Sequence, residues 1–198
     1  MTARTSHILL VFAAFLTGLV IFLGVILFTS NYYQGTGLGP SEIGGSFKLI
    51  DQDGKPITDQ DFKGRPFLVF FGYRHCPDIC PITLFEMSEV LRALGKDADR
   101  INALFITVDP ERDTPAMMKD YLSSFDPHLR GATGDQKAID AVEKAYRVYA
   151  KKVPTDNGDY SMDHTALVYL MDKQGRFVAP FKLDRKPEAA AADLRRYL

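Results

Sequence analysis

The chain has two cysteines, both within Cys76-Pro77-Asp78-Ile79-Cys80, a C-x-x-x-C spacing. Cys76 follows the apolar run PFLVFFGY (Pro66–Tyr73), and Cys80 directly precedes Pro81, the expected first residue of a helix. Thiols at that junction feel the unpaired N–H groups and the positive dipole end of the helix, which favours thiolate. Asp78 acts in the opposite direction, because a nearby carboxylate disfavours a second negative charge. The net direction stays open at this level. Four residues apart around a helix start, the two sulfurs can converge on one atom or on each other.

Three chemistries fit such a pair. A structural disulfide across so short a loop constrains little of the unfolded chain. A dithiol redox site has the C-x-x-C spacing in thioredoxin-like proteins, one residue fewer than here. A soft-metal site needs only that the sulfurs converge: two thiolates suit Cu(I), and an added imidazole makes a set that also holds Cu(II). The imidazole must come from His7, His75, His128 or His164. His7 lies beside the apolar N-terminal segment and His128 in a polar Asp-Pro-His loop, so both read as incidental. His75 adjoins Cys76, yet neighbours in an extended chain point apart. His164 opens the run HTALVYLM, where a lone histidine serves structure more often than ligation. Among the methionines, Met87 and Met171 fall in apolar patterns and read as core. Met162, two residues from His164, is the only thioether worth weighing as a ligand.

The elements that must position these residues alternate in type. Phe47–Asp51 and Pro56–Thr58 read as short strands around an Asp53-Gly54 turn. Pro66–Tyr73 and Ile101–Val108 are continuous apolar runs, the pattern of central strands buried on both faces. From Pro81 a helix places Leu84, Met87, Leu91 and Leu94 on one stripe. Thr114-Pro115 provides an N-cap and a first-turn proline for a helix to Phe125. A third helix, Gln136–Ala150, carries Ile139, Val142, Tyr146 and Tyr149 as a packing stripe. After a loop over Thr155–Asp163 come a strand His164–Met171, a turn at Asp172–Gly175, a strand Phe177–Lys182 and a helix from Pro187. Alternating β and α elements closing on a hairpin and helix predict an α/β domain on the thioredoxin plan, with a central mixed sheet flanked by helices.

Ahead of that domain, Ile8–Phe28 is a run of 21 residues without a charge. At about 1.5 Å per residue it rises roughly 30 Å, the thickness of a bilayer's hydrocarbon core. It is longer than a signal-peptide core and ends without an A-x-A site, which predicts an uncleaved transmembrane anchor. Arg4 places the N-terminus in the cytoplasm and the rest outside, in a bacterial inner (plasma) membrane with a periplasmic C-terminal domain. The expected organisation is a cytoplasmic stretch 1–7, an anchor 8–29, a glycine-rich tether 30–45 and a folded domain 46–198. A net charge of −1 with no basic run excludes nucleic acid as a partner.

GYRHCPDICP (Gly72–Pro81), VDPERDTP (Val108–Pro115) and MDHTALVYLMDKQGRF (Met162–Phe177) together resemble the three signature segments of the Sco/SenC family, in the family's order. The resemblance covers roughly residues 42–198 and implies a thioredoxin-like fold and a copper chaperone for cytochrome c oxidase assembly. It implies Cys76, Cys80 and His164 as the copper ligands. The implied acceptor is the dinuclear copper centre of oxidase subunit II, with other periplasmic copper chaperones or thiol reductants as further partners. Asp109-Pro110 and Asp113-Thr114-Pro115 match the family's acidic segment and read as structural: a strand end, a turn and a helix cap. Arg74 stands where relatives often have threonine, with no functional meaning attached. The implied role is not enzymatic. The rival is a thiol–disulfide reductase in which Cys76 and Cys80 cycle through a disulfide and keep the oxidase cysteines reduced. A peroxidase is disfavoured, since no T-x-x-C pattern precedes either cysteine.

Overall fold

A computed structural model describes residues 15–26, 43–156 and 158–198. The chain divides into two units, Met1–Glu42 and Ile43–Leu198. In the first, residues 15–26 form a helix, α1, whose side chains are exposed. Among the described residues no helix is long and apolar enough to cross a membrane. The span expected over 8–29 runs beyond α1 at both ends, and the tether over 30–45 lies largely outside the described residues.

The second unit is built on a seven-stranded mixed sheet. One of its inner strands is β3 (Phe67–Gly72), in which all six residues are buried. Parallel to β3 runs β4 (Asn102–Thr107), and parallel to β4 runs β5 (Leu129–Thr133). Antiparallel strands close both edges. β1 (Lys48–Asp51) joins β5 and carries β2 (Pro56–Thr58), while β8 (Val168–Met171) joins β3 and carries β9 (Phe177–Pro180). The helices are α2 (Ile79–Leu94), α3 (Pro115–Leu122), α4 (Gln136–Tyr146) and α5 (Pro187–Arg195), with α5 packed against α2. The predicted stripe Leu84, Met87, Leu91 and Leu94 is wholly buried, and so are Met87 and Met171. This is the thioredoxin-like architecture expected from the alternation of elements.

Four local expectations are corrected. α2 starts at Ile79 rather than Pro81, so Cys80 lies inside its first turn; Pro81 is tolerated there because first-turn N–H groups have no partner within the helix. α3 ends at Leu122, short of Phe125. β5 had no clear sequence pattern, since LRGAT neither alternates nor runs apolar. α4 stops at Tyr146 because Arg147 adopts a left-handed conformation at φ 56°. Tyr149 thereby leaves the stripe and is 53% exposed.

A further correction concerns the site. Ala150 belongs not to a helix but to β6 (Ala150–Pro154), which pairs with β7 (Tyr160–His164) as a separate two-stranded sheet. Most of the stretch expected as loop is therefore this hairpin. His164 ends β7, opposite Ala150, instead of opening the strand that follows.

A cleft of about 300 Å³ is lined by Glu111, Gln136, Asp140 and Glu143 together with Lys151 and Lys152 of the hairpin. One carboxylate oxygen of Glu143 is buried there without a hydrogen-bond partner. Burial, with a smaller push from Asp140, raises the Glu143 carboxyl to about 7 from an ordinary 4.5. The folded state therefore holds a proton that the unfolded chain gives up above about pH 4.5, so this contribution to stability is lost as pH rises through 7. Glu143→Gln is expected to stabilise the protein by about 1 kcal/mol at pH 8, discounted for partial exposure, and by little at pH 4.5. Thermal melts at both pH values check this; an equal change at the two would refute it.

Candidate metal centre

The two thiols take their places from the end of β3. Gly72, its last residue, has no room for a side chain: a Cβ would lie 2.8 Å from Cys80 Sγ and 2.9 Å from the Phe105 ring. Cys80 is accordingly packed onto the backbone of β3 and fully buried. The chain then turns, the Cys76 amide donating to the Tyr73 carbonyl at 3.3 Å, and enters α2. Inside that first turn the Cys80 amide donates to Cys76 Sγ at 3.4 Å. Cys76 is only partly buried, and both thiols are free.

His164 arrives from β7 across 84 residues of sequence, its Nε2 standing 3.5 Å from Cys80 Sγ. Its other nitrogen, Nδ1, lies 3.1 Å from the Thr165 carbonyl. A carbonyl only accepts, so Nδ1 carries the hydrogen and Nε2 presents its lone pair to the sulfurs. The ring packs edge-on against Tyr73 at 5.8 Å and Phe70 at 6.4 Å. Two bonds fix the strand end, from the Thr165 amide to the Tyr149 carbonyl and from the Tyr149 amide to the Thr165 hydroxyl. Cys76 Sγ, Cys80 Sγ and a nitrogen of His164 all lie within 4.8 Å of one another. Among the described residues, this is the group of three or more His, Cys, Asp or Glu side chains that could hold a metal ion.

Burial settles the electrostatic question that local reasoning left open. It pushes the Cys80 thiol far above its ordinary value, outweighing the Tyr73 backbone amide that favours thiolate; Cys76 and Asp113 add to the rise. Cys80 is thus protonated unless a cation replaces the proton. Burial acts on His164 in the opposite sense, lowering its pKa and keeping the imidazole neutral. A neutral imidazole is the form that binds metal, and its hydrogen-bonded Nδ1 orients it.

The segment after β4 supports both halves of this set. Asp113 is fully buried and accepts from the Thr107 hydroxyl at 2.7 Å and the Arg74 amide at 3.0 Å, which holds the cysteine loop down. The Arg74 guanidinium lies 3.8 Å from the same carboxylate, giving that residue a supporting contact not anticipated from sequence. Asp109, also fully buried, accepts from the Tyr160 hydroxyl at 2.8 Å at the start of β7 and pairs with Arg112. The reading of VDPERDTP as structural is correct in kind, but it missed that the turn reaches two separated elements. Its concentration of acidic and basic side chains in one turn was the available signal.

Neither His75 nor His128 joins the cluster. His75 is exposed, its Nε2 3.3 Å from the Arg74 guanidinium. His128 is bound by Asp126 and Asp99, whose hydrogen bonds raise its pKa. Met162 is half-buried against the core. His7 lies outside the described residues.

The sequence profile of the SCO1/SenC family matches residues 35–198. The chain belongs to the SCO1/SenC family. Among solved structures it is similar to copper-bound ScoI of Bradyrhizobium japonicum, with 70% identity, 79% of this chain and 99% of that one covered, and a TM-score of 0.77. Copper-bound yeast Sco1 shares 35% identity, with 80% of this chain and 88% of that one covered and a TM-score of 0.72. A SCO2-like protein of Rickettsia felis is 40% identical over 149 residues, covering 74% of this chain and 73% of its own. Solved members of the family thus hold copper, and this chain gathers two sulfurs and a nitrogen at one point.

Gly72 provides a test of the packing beneath that point. Gly72→Ala is expected to destabilise the protein by about 1–3 kcal/mol, the range for forcing an extra carbon into a packed core, and to push Cys80 outward. Denaturant unfolding and the rate at which a thiol reagent labels Cys80 in Cys76→Ser protein are the measurements. An unchanged midpoint with unchanged labelling would show that the sulfur does not rest on the glycine.

Proposed function

We propose that this protein is a membrane-anchored copper chaperone that holds copper through Cys76, Cys80 and His164 and delivers it during cytochrome c oxidase assembly. The convergence of the three donor atoms within 4.8 Å carries the reading. Copper-bound relatives support it. In this reading copper is cargo, and the chain makes and breaks ligand bonds without catalysing a reaction.

Loading Cu(I) displaces the proton of Cys80 and engages both sulfurs. Cu(II) additionally takes Nε2 of His164, because imidazole suits the harder ion. Cys76 is the more exposed sulfur, so it is where an incoming thiolate or imidazole of the acceptor first replaces a ligand. As the metal leaves, burial draws a proton back to Cys80, which favours completed transfer over return. The acceptor in this reading is the dinuclear copper centre of oxidase subunit II, on the periplasmic side of a bacterial inner membrane. An anchor over 8–29 and a tether over 30–45 confine the search to that surface and raise the effective concentration of the two partners. Other periplasmic copper chaperones or thiol reductants would load or reduce the site.

A second reading rests on one observation, two free thiols with the Cys80 amide already donating to Cys76 Sγ. There the exposed thiol attacks a disulfide of the oxidase copper site, Cys80 displaces the partner thiol, and the pair ends oxidised while the partner gains two thiols. His164 has no part in that exchange.

Metal analysis of the protein after loading with Cu(I) under reducing conditions, or with Cu(II), separates the readings. Cys76→Ala and Cys80→Ala are expected to weaken Cu(I) retention by more than the roughly 10–100-fold that loss of a supporting hydrogen bond causes. His164→Ala is expected to keep Cu(I) and lose Cu(II). A wild-type stoichiometry near zero, or one indifferent to Cys80→Ala, leaves only the reductase.

A further inference from the structure

We infer that Arg112 is the positioning residue for His164, its clamp on β7 deciding whether the imidazole stands beside the two sulfurs. This rests on the ligand reading proposed above. β6 and β7 pair only with each other and add no strand to the main sheet. They bury little: β6 is exposed from its second residue onward, and no residue of β7 is fully buried. Sheet hydrogen bonding therefore does not hold the hairpin over the site, and apolar packing is limited to half-buried Ala150 and Met162.

What holds it is one face of β7. Tyr160, Met162 and His164 alternate onto the same side of the strand. At its start, Arg112 donates to the Tyr160 carbonyl at 2.9 Å and to Asp159 at 3.1 Å, with the guanidinium 3.7 Å above the Tyr160 ring. Arg112 is itself fixed to the domain through fully buried Asp109, which also accepts from the Tyr160 hydroxyl. The guanidinium lies 5.9 Å from the Tyr73 ring as well, the same ring against which His164 packs edge-on. Arg112 thus touches the strand at one end and the imidazole's support at the other. The Lys152–Glu111 pair is exposed and adds little.

The cysteine loop is held from the other side of the turn by Asp113, which accepts from the Arg74 amide and is itself fixed by the Thr107 hydroxyl. Loosening Arg112 therefore leaves the sulfurs in place and moves the nitrogen. Copper in its two oxidation states reads that difference, since Cu(I) is retained by two thiolates and Cu(II) needs the imidazole.

The experiment compares full-length wild type, Arg112→Gln, Arg112→Lys, Tyr160→Phe and His164→Ala, each loaded with Cu(I) or Cu(II) alone. Arg112→Gln is expected to weaken Cu(II) about 10–100-fold, as loss of an orienting partner does, with Cu(I) near wild type. The Cu(II) spectrum should lose its nitrogen hyperfine coupling, and in the metal-free protein the His164 ring resonances should move toward those of an unpacked imidazole. Arg112→Lys should recover part of the Cu(II) affinity. Tyr160→Phe removes a single hydroxyl and should shift Cu(II) in the same direction by less, which keeps the test open if Arg112→Gln fails to fold. Wild-type Cu(II) affinity and spectrum in both Arg112→Gln and Tyr160→Phe would overturn the inference, as would equal loss of Cu(I) and Cu(II) in a folded variant. If His164→Ala keeps Cu(II), the ligand reading itself falls; if it loses Cu(II) while Arg112→Gln does not, only the clamp does.

Discussion

Asp109 and Asp113 are fully buried carboxylates four residues apart, on the turn that follows β4. A carboxylate taken out of water is costly unless donors surround it. The donors here are what hold the site together: Thr107 and the Arg74 amide on Asp113, Arg112 and the Tyr160 hydroxyl on Asp109. Arg74 belongs to the cysteine loop and Tyr160 to the hairpin of His164. The need to satisfy two buried acids thereby brings together parts of the chain that share no strand pairing. Burial pushes the Asp113 carboxyl up, which shows how far its desolvation outweighs its hydrogen bonds. Removing one of those donors would leave a buried acid less compensated still, so the turn tolerates little change.

The site set on this frame is uneven in a way that suits transient cargo. Cys80 is sealed against the backbone of β3, with the missing side chain of Gly72 making the space. Cys76 is partly open. His164 is neutral, oriented through Nδ1, and carried by an element outside the main sheet. A buried thiol that strongly prefers its proton competes with the metal, and an exposed one admits an incoming ligand. A site built to keep its metal would bury all donors and rest them on rigid strands. Here the sulfurs rest on the core, and the nitrogen rests on a clamp.

Local pattern made much of this legible. The continuous apolar runs of β3 and β4 announced buried central strands because every side chain of such a strand meets a packed layer. Thr114-Pro115 announced a helix start through capping chemistry confined to one turn. Cys76 and Cys80 could be paired in advance because both lie on a single strand-to-helix junction, where spacing in sequence is spacing in space. Where local rules competed with tertiary ones, the reading slipped: the α4 stripe continued on paper to Tyr149, but Arg147 turned the chain out of the helix. The LRGAT strand had no pattern of its own and exists because β4 and β1 supply partners on either side.

By itself, then, the sequence determined the two sulfurs, the order of elements and the α/β architecture. These depend on residue type and near-neighbour spacing. Only the tertiary structure decided that His164 ends a hairpin strand and meets Cys80 over 84 residues, that Cys80 favours its proton, and that Arg112 and Asp109 tie the hairpin to the domain. Contact between distant segments, desolvation and the pairing of buried charges depend on what the rest of the chain places around a residue, and a local pattern carries no record of that.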